Sequence, residues 1–229
     1  QRAAAARCAA RRTARAAPCR SEGAASAARD AHARARPRAA ARRGAVSVTR
    51  TRLLALLTER SYAKRKVVLA SGRESDFFVD CKQTVLLAEG HALVGELMLE
   101  AALALPTRPR AVAGVELGGC PLASAVALVS FQKGTPLDAV YVRKDVKDHG
   151  SKRQLEGDTH VADGTAIAVL EDVITTGGST LRAVDKLRAR GLSVAGVVAL
   201  VDRQEGGREA LEAAGLVLRS IFTRADFPS

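Results

Sequence analysis

Several features that identify common protein classes are missing from this sequence. Its 229 residues contain only four cysteines, whose spacing matches neither a metal site nor a disulfide framework. No apolar run is long enough to span a membrane, no segment repeats, and P-loop, dinucleotide-binding and zinc-protease motifs are absent. The cysteine usage favours a reducing compartment, so we expect a cytoplasmic protein without a membrane partner.

Acidic residues are scarce in one part of the chain only. Of the 36 basic and 24 acidic residues, which give a net charge of +12, residues 1–44 hold 12 Arg and 2 acids. The other 185 residues therefore carry 24 basic and 22 acidic side chains. Because this larger part is nearly neutral, the net charge does not by itself indicate a nucleic-acid partner, and we expect none.

Large apolar residues are almost absent from residues 1–44, which consist mainly of 19 Ala and 12 Arg. Such a segment cannot bury enough surface to offset its ordering entropy, which predicts disorder or a frayed helix. Three origins compete: an organelle transit peptide, an Arg-rich arm for nucleic acid, or translation of GC-rich DNA upstream of the native start. We favour the last, because protein-like patterning begins abruptly near Val46. The predicted division is an extension over residues 1–45 and a domain over 46–229.

The pattern after Val46 predicts an α/β protein. A helix over residues 53–57 and short strands at 66–69 and 76–80 indicate a small N-terminal subdomain. Helices then alternate with nearly continuous apolar strands, which is typical of a parallel sheet covered on both faces. We predict these strands at residues 112–116, 139–144, 166–172, 194–202 and 216–222.

The most informative stretch begins in the strand at 166–172 and continues to Thr180. Glu171 and Asp172 close its apolar part, and a turn rich in Thr, Gly and Ser leads into a helical pattern. In parallel sheets, ligands bind beyond the carboxyl ends of the strands, where the next helix presents free N–H groups. Carboxylates accept hydrogen bonds from sugar hydroxyls, and a glycine-containing turn lets the backbone approach an anion. The stretch therefore predicts a ligand with a diol and a phosphate.

A second informative stretch is the long polar segment that begins at Arg143. About twenty residues separate two predicted strands, which is long for a compact α/β protein and typical of a lid over a site. Arg143, Lys144, Lys147 and His149 supply four donors suited to phosphate oxygens. The alternative is an ordinary solvated loop, but its position after a strand end favours the functional interpretation.

Together these stretches resemble a known family. Residues 169–180 are similar to the phosphoribosyl-pyrophosphate (PRPP) motif of type I phosphoribosyltransferases, and residues 143–150 resemble the orotate phosphoribosyltransferases in particular. Residues 71–78 and 201–205 are similar to the same family and lie in the same order. The resemblance covers roughly residues 50–222 and implies a parallel-sheet type I phosphoribosyltransferase core (roughly 83–222) with a small N-terminal hood (roughly 46–82).

The resemblance also implies an activity. Family members transfer the 5-phosphoribosyl group from PRPP to orotate, giving orotidine 5'-monophosphate and pyrophosphate in de novo pyrimidine biosynthesis. It implies a homodimer in which the loop carrying Lys147 closes over the neighbouring subunit's site. Mg²⁺ is carried mainly by PRPP, so we expect no dedicated protein metal site. The alternatives are a phosphoribosyltransferase for another base and a PRPP-sensing regulator that binds nucleic acid.

Residue roles follow from matching the family's motifs to this sequence. Orotate is expected to bind to Thr175, Arg203 and the region of Phe78, and the catalytic residues are expected to be Lys147, His149 and Asp172. The implied PRPP-binding set joins the loop donors to the carboxylates and the turn: Arg143, Lys144, Lys147, His149, Glu171, Asp172, Val173, Ile174, Thr175, Thr176, Gly177, Gly178 and Ser179.

A few positions carry separate expectations. Ala70 and Gly118 stand where relatives often have a PRPP-contacting lysine, which bears on affinity rather than on the reaction. Phe77 and Phe78 alternate along a strand, so we expect one to enter the core and the other to face the base. Cys81 and Cys120 are expected to be small buried fillers rather than nucleophiles.

Overall fold

The computed structural model describes residues 47–68, 74–144 and 153–228. The extension over residues 1–45, Ala70, Lys147 and His149 lie outside these residues, so the expectations for them stay predictions.

The N-terminal part consists of helices and one antiparallel hairpin. Residues 47–60 are helical (α1), and strands β1 (Tyr62–Val68) and β2 (Glu74–Val79) pair with each other in a separate two-stranded sheet. The prediction that the first strand starts at residue 66 was wrong, because its pairing already begins at Tyr62 opposite Val79. A four-residue helix, α2 (Lys82–Val85), follows the hairpin.

The remaining elements build a six-stranded sheet in the order β5–β4–β3–β6–β7–β8. Neighbouring strands are parallel, except that β5 runs antiparallel to β4. The elements after α2 are α3 (Ala88–Leu103), β3 (Ala111–Val115), α4 (Gly119–Gln132), β4 (Asp138–Val142), β5 (Leu155–Glu156), β6 (Ala166–Ile174), α5 (Gly178–Ala189), β7 (Ser193–Asp202), α6 (Gly207–Ala213) and β8 (Leu218–Thr223).

Helices cover both faces of the sheet, as the continuous apolar strands predicted. On one face, Leu170 of β6 and Leu200 of β7 belong to the same apolar cluster as residues of α3 and α4. On the other face, Val169 of β6 packs in a cluster with Val184 of α5 and with residues of α6. Successive strand residues point to opposite faces, so both sides of β6 are buried. The parallel α/β core is therefore confirmed.

The strand order reverses between β3 and β6, which places a ligand crevice there. The chain leaves β3 for β4 on one side and later returns to β6 on the other side of β3. The β3–β6 pairing ends at Gly114 and Leu170, whereas β6 continues beside β7 up to Ile174 opposite Asp202. The predicted end of this strand at Asp172 was wrong, because the β7 partner extends the ladder by two residues. Glu171 and Asp172 thus lie in the part of β6 that extends beyond its pairing with β3.

One strand was not predicted. Residues Leu155 and Glu156 return to the sheet and pair with Val142 and Tyr141 at its edge, inside the segment that was predicted to be a polar loop. The contact is favoured because Leu155 becomes buried in the apolar cluster under α5. Within the described parts of the chain, no helix combines the length and the apolar character that a membrane crossing requires.

Candidate active site

Glu171 is the more deeply buried of the two carboxylates at the end of β6. Its Oε2 accepts a hydrogen bond from the hydroxyl of Thr180 at 3.0 Å, and both side chains are buried. Burial and then the charge of Asp172 raise the pKa of Glu171 from 4.5 to about 8, against the lowering effects of Thr180 and Lys144. At neutral pH the free site therefore keeps Glu171 protonated, which leaves it a donor as well as an acceptor toward a diol.

Asp172 faces the loop between β3 and α4. Its Oδ1 accepts from the backbone N–H of Val173 at 2.9 Å, and a Cβ atom added to Gly118 would overlap its carboxylate. Only glycine at position 118 lets the loop backbone approach this carboxylate so closely. Burial raises the pKa of Asp172, and the positive charge of Lys82 opposes that rise. Asp172 is therefore held at the point where β3 and β6 part.

The turn after Asp172 has the form that the sequence predicted. It passes through Thr175 and Thr176 to Gly177, whose φ of 79° is left-handed, and α5 begins at Gly178. A side chain would be strained in that conformation, which explains the glycine. The first backbone N–H groups of the 12-residue helix α5 lie beside the turn. Free N–H groups and the helix dipole make such a site suited to a phosphate.

Arg143 and Lys144 lie at the end of β4, on the far side of β3 from β6. The backbone N–H of Lys144 donates to Glu116 at 2.9 Å, and that of Arg143 donates to the carbonyl of Gln154 at 2.9 Å. The Arg143 guanidinium pairs with Glu156 at 3.1 Å. The charge of Lys144 lowers the pKa of Glu171. Of these two loop donors, Lys144 therefore acts electrostatically on a carboxylate at the end of β6.

A cationic cavity lies between the end of β4 and the start of α5. It has a volume of about 150 Å³ and is lined by side chains from the ends of β3 and β4 and from one face of α5: Val115, Val142, Arg143, Lys144, Ser179, Arg182, Ala183 and Lys186. Lys186 donates to the carbonyls of Arg143 and Lys144 at 2.7 and 2.8 Å. Sequence reasoning missed Arg182 and Lys186. Arg182 and Lys186 lie three and seven residues after Ser179, a spacing that places all three on one helix face and could have indicated them.

Arg203, one of the residues predicted to bind a base, contacts the chain neighbours of the other two, Thr175 and Phe78. The backbone N–H of Arg203 donates to the carbonyl of Ile174, which precedes Thr175. Its guanidinium donates to the carbonyl of Phe77 at 2.9 Å and pairs with Glu205 at 2.9 Å. Arg203 thus joins the end of β6 to strand β2, and its planar group lies 5.5 Å from the centre of the Phe77 ring.

The two phenylalanines of β2 differ in burial, and the expectation that one of them enters the core is confirmed for Phe77. Phe77 is buried and lies within 5.3 Å of the rings of Tyr62 and Phe227, measured between ring centres. Phe78, the next residue along the strand, is only half-buried. Because alternate strand residues face opposite sides, Phe77 belongs to the core and Phe78 points to the other side of the hairpin.

Cys81 and Cys120, the two cysteines that the structure describes, are poorly suited to act as nucleophiles. Cys81 is buried with its thiol 3.8 Å from the carbonyl of Asp172, while Cys120 is only half-buried, so the expectation of a buried filler was wrong for Cys120. Burial raises the pKa of both thiols, that of Cys120 to about 11. A thiol that stays protonated is a poor nucleophile. Among the described residues, no three His, Cys, Asp or Glu side chains are grouped as a metal site would require.

With this geometry in place, comparisons with known proteins identify the family. The family model of the phosphoribosyl transferase domain matches residues 85–217. An orotate phosphoribosyltransferase of Sorangium cellulosum (strain So ce56) is 69% identical over 178 residues, which are 78% of this chain and 92% of the relative. The chain belongs to the orotate phosphoribosyltransferase family. The resemblance drawn from the motifs is thereby confirmed.

Solved structures of orotate phosphoribosyltransferases share the fold. The Mycobacterium tuberculosis H37Rv enzyme in complex with Fe(III) dicitrate has a TM-score of 0.66 at 39% identity, covering 78% of this chain and 98% of its own. The same enzyme in complex with PRPP has a TM-score of 0.64 at 36% identity, with the same coverage. The type I phosphoribosyltransferase fold predicted from the sequence is confirmed by this agreement and by the family model.

Proposed function

We propose that this chain transfers the 5-phosphoribosyl group of PRPP to orotate, giving orotidine 5'-monophosphate and pyrophosphate in de novo pyrimidine biosynthesis. The observation that carries the proposal is the grouping of three chemically distinct regions at one edge of the sheet. A carboxylate pair, a phosphate turn and a cluster of cations meet where β3 and β6 part. PRPP needs all three, because it combines a diol, a 5-phosphate and a pyrophosphate.

In this proposal, the ribose phosphate lies against the end of β6. Glu171 and Asp172 bind the ribose 2- and 3-hydroxyls, and the 5-phosphate binds to the turn formed by Thr175, Thr176, Gly177, Gly178 and Ser179. Val173 and Ile174 contribute backbone contacts beside them. The tie between Thr180 and Glu171 supports this arrangement, because it couples the first turn of α5 to the diol site.

The pyrophosphate binds to the cations at the end of β4. Arg143 and Lys144 lie at the base of the loop, and Lys147 and His149 belong to its next residues. The cavity beside Arg143, Lys144 and Ser179 supports the assignment, since it adjoins the phosphate turn. Bringing several positive charges to a departing pyrophosphate stabilises the charge that develops on it.

Orotate binds between Arg203, Thr175 and Phe78. The planar guanidinium of Arg203 matches a carboxylate or an imide edge with two parallel hydrogen bonds. In the free structure it pairs with Glu205 and with the carbonyl of Phe77. When orotate binds, the guanidinium of Arg203 therefore exchanges hydrogen bonds to protein groups for hydrogen bonds to the ligand. Its position is already set by the protein contacts.

The chemistry requires no protein nucleophile. Orotate N1 forms a bond to ribose C1 as the bond from C1 to the pyrophosphate oxygen breaks. The electron pair of the broken bond leaves with pyrophosphate, and the proton of orotate N1 passes to the released pyrophosphate or to water. Cleavage runs ahead of bond formation, so the protein positions the reactants, neutralises the leaving group and excludes water. Asp172 accepts from the ribose hydroxyl beside the reacting carbon, and Lys147 and His149 act on the leaving group.

Magnesium fits this site as a companion of PRPP. The carboxylates at the end of β6 are already engaged with Thr180 and Val173, so they do not form a cage of free oxygen ligands. Mg²⁺ tends to keep several waters and to bind substrate phosphates. When bound, it neutralises part of the pyrophosphate charge.

The proposal includes a homodimer in the cytoplasm, where PRPP and orotate are free metabolites. Leu128 and Phe131 lie three residues apart on α4, and their side chains are 56% and 74% exposed. Residues at this spacing share one helix face, and paired exposed apolar side chains favour contact with a second copy of the chain. Sedimentation should give a dimer, and the variant Phe131→Glu should shift it toward the monomer.

A base panel tests the proposed reaction. The full chain is incubated with PRPP and Mg²⁺ together with orotate, uracil or adenine, and product formation is followed by absorbance and mass spectrometry. We expect orotidine 5'-monophosphate from orotate and no nucleotide from the other bases. Turnover of uracil or adenine without orotate would overturn the assignment of the base. Tight PRPP binding without turnover of any base would instead favour a PRPP sensor.

A further inference from the structure

Asp202 is a buried carboxylate that the proposed function leaves without a role. It is the last residue of β7, lies between Ile174 of β6 and Thr223 of β8 in the sheet, and is only 1% exposed. Burying a carboxylate is costly unless its oxygens have hydrogen-bond partners. Here Oδ1 accepts from the backbone N–H of Gln204 at 2.8 Å, and Oδ2 accepts from the guanidinium of Arg208 at 3.1 Å. The carboxylate therefore links the end of the strand to the turn that follows it.

The backbone of that turn takes an unfavourable conformation at Gln204. Its φ is 58°, and among the described residues no other non-glycine residue has a positive φ. Residues other than glycine keep such a conformation only where surrounding contacts hold them in it. An aspartate that accepts from the N–H two residues later supplies a contact of this kind. Asp202 thus stabilises a conformation that Gln204 does not favour by itself.

Arg203 is the first residue of this turn, so the turn decides where its side chain leaves the sheet. Its backbone N–H donates to the carbonyl of Ile174 at 2.9 Å, which places it beside the end of β6. Its guanidinium donates to the carbonyl of Phe77 at 2.9 Å and pairs with Glu205 at 2.9 Å. A change in the backbone of the turn would therefore displace the guanidinium from its position between β6 and β2.

The helix after the turn is fixed to the sheet on two sides. Arg208 also donates to the carbonyl of Leu218 at 3.1 Å and to the hydroxyl of Ser220 at 3.4 Å, both on β8. Gly207, the first residue of α6, packs so closely that an added Cβ atom would lie 2.5 Å from the carbonyl oxygen of Thr175. The arginine that pairs with the buried carboxylate is therefore itself held in place by the sheet.

We propose that Asp202 is a positioning residue of the orotate site, which holds the turn from Arg203 to Gly206 so that the Arg203 guanidinium is aligned for orotate. Asp202 acts through the backbone at Gln204 and does not touch the substrate. The inference rests on the proposed function, because it takes Arg203 as a residue that binds orotate. It predicts a defect that is larger for the base than for PRPP, since the ribose and its phosphates bind to other elements.

The first test compares KM for orotate and KM for PRPP in the wild-type chain and in Asp202→Ala. Loss of the acceptor releases the turn, so KM for orotate should rise about tenfold, the effect of one buried hydrogen bond. KM for PRPP should change much less. Glycine takes the left-handed conformation without a supporting contact. Adding Gln204→Gly to Asp202→Ala should therefore return KM for orotate toward the wild-type value, and absence of this rescue would contradict the inference.

Substitutions at Gln204 alone test the turn without disturbing a buried group, because this side chain is exposed. Gln204→Val places a β-branched residue where φ is positive, which is strongly disfavoured, so KM for orotate should rise. Gln204→Gly should match the wild type. If Asp202→Ala does not fold, equal KM values for orotate in Gln204→Val and Gln204→Gly would overturn the inference by themselves.

The ion pair between Asp158 and Arg190 provides a matched control. Oδ2 of Asp158 accepts from Arg190 at 2.7 Å, and the Asp158 side chain is largely buried. Arg190 follows the C-terminal end of α5, whereas the phosphate turn precedes its N-terminal end, so this pair lies at the opposite end of the helix from the site. Asp158→Ala should lower the free energy of unfolding and leave both KM values unchanged. A rise in KM for orotate in this control would attribute the effect of Asp202→Ala to a general loss of stability.

Hydrogen exchange separates this inference from the proposed function. In Asp202→Ala the backbone amide of Arg203 should exchange faster, because its hydrogen bond to the carbonyl of Ile174 loosens with the turn. Unchanged exchange at this amide would overturn the inference whichever base the protein uses. If the wild-type chain makes no orotidine 5'-monophosphate, the proposed function fails, and the exchange rate still decides whether Asp202 holds the turn.

Discussion

Thr180, in the first turn of α5, donates a hydrogen bond of 3.0 Å to Oε2 of Glu171 near the end of β6. Both side chains are buried, so if this hydrogen bond is lost, water cannot easily take the place of the missing partner. The bond joins the helix that begins at the proposed phosphate turn to the carboxylate that is proposed to bind the sugar. A ligand that orders the turn should therefore also affect the protonation of Glu171.

Breaking this bond should weaken PRPP binding. In Thr180→Val, Glu171 loses a donor that favours its charged form, so its pKa should rise further and its oxygen should be left without a partner. We expect PRPP affinity, measured by calorimetry at pH 7.5, to fall by about tenfold, the effect of one buried hydrogen bond of about 1.4 kcal/mol. Thr180→Ser keeps the hydroxyl and should stay close to wild type. Equal losses in the two variants would point to packing instead.

The raised pKa of Glu171 predicts how stability depends on pH. With a pKa of 4.5 when unfolded and about 8 when folded, the native state keeps a proton that the unfolded chain has released between these values. The free energy of unfolding should therefore fall as the pH rises from about 4.5 to about 8. Glu171→Gln has no such group, so its stability relative to wild type should increase by a few kcal/mol over this range. Urea denaturation at several pH values measures the difference.

The exposed carboxylate of Glu100 on α3 provides the control for this series. Glu100→Gln should show no comparable change relative to wild type. A stability difference between Glu171→Gln and wild type that stays constant from pH 5 to pH 9 would contradict the assignment of a raised pKa to Glu171.

Much of the fold followed from local patterns. The apolar run before Glu171 predicted a buried strand because both of its faces are covered. The turn rich in Thr, Gly and Ser was predicted to lead into a helix, and α5 begins at Gly178 after the left-handed Gly177. The carboxylates also suggested where the strand ends, but the ladder with β7 continues to Ile174. That extension depends on the length of a neighbouring strand, which local sequence does not specify.

The hydrogen bonds of Thr180 and Lys186 were not predicted for a related reason. Each side chain reaches a partner outside its own helix, as Lys186 does at the carbonyls of Arg143 and Lys144. Spacing along α5 indicates which side chains share a helix face, but the partners they reach are set by the packing of α5 against the sheet. Likewise, β5 consists of two residues whose pairing with β4 depends on the burial of Leu155.

Lys186 should fix the backbone of Arg143 and Lys144, where the polar segment begins. Lys186→Met removes both bonds to the carbonyls of Arg143 and Lys144, so these residues should lose their fixed orientation toward the pyrophosphate. We expect kcat/KM for PRPP to fall by about tenfold, the effect of roughly 1.4 kcal/mol. Hydrogen exchange should become faster at the backbone amides of Arg143 and Lys144. Lys133→Met is the control, and unchanged exchange in Lys186→Met would exclude an anchoring role.

Lys147 should affect turnover more than binding. If its contact with the pyrophosphate forms on loop closure, Lys147→Ala should lower kcat by about 100-fold, as loss of a donor to developing charge does. PRPP affinity should change much less. Lys152→Ala, in the same polar segment, is the matched control. Stopped-flow turnover and equilibrium binding distinguish the two effects, and equal losses in both would argue against a role confined to the transition state.

The PRPP site is tested most directly by a crystal structure of this chain with PRPP and Mg²⁺ in the absence of a base. We expect the ribose 2- and 3-hydroxyls to lie within hydrogen-bonding distance of Glu171 and Asp172. We also expect the 5-phosphate to accept from backbone N–H groups of the turn from Thr175 to Ser179. A sugar far from both carboxylates, or a 5-phosphate held by Arg182 and Lys186 instead of the turn, would contradict these expectations.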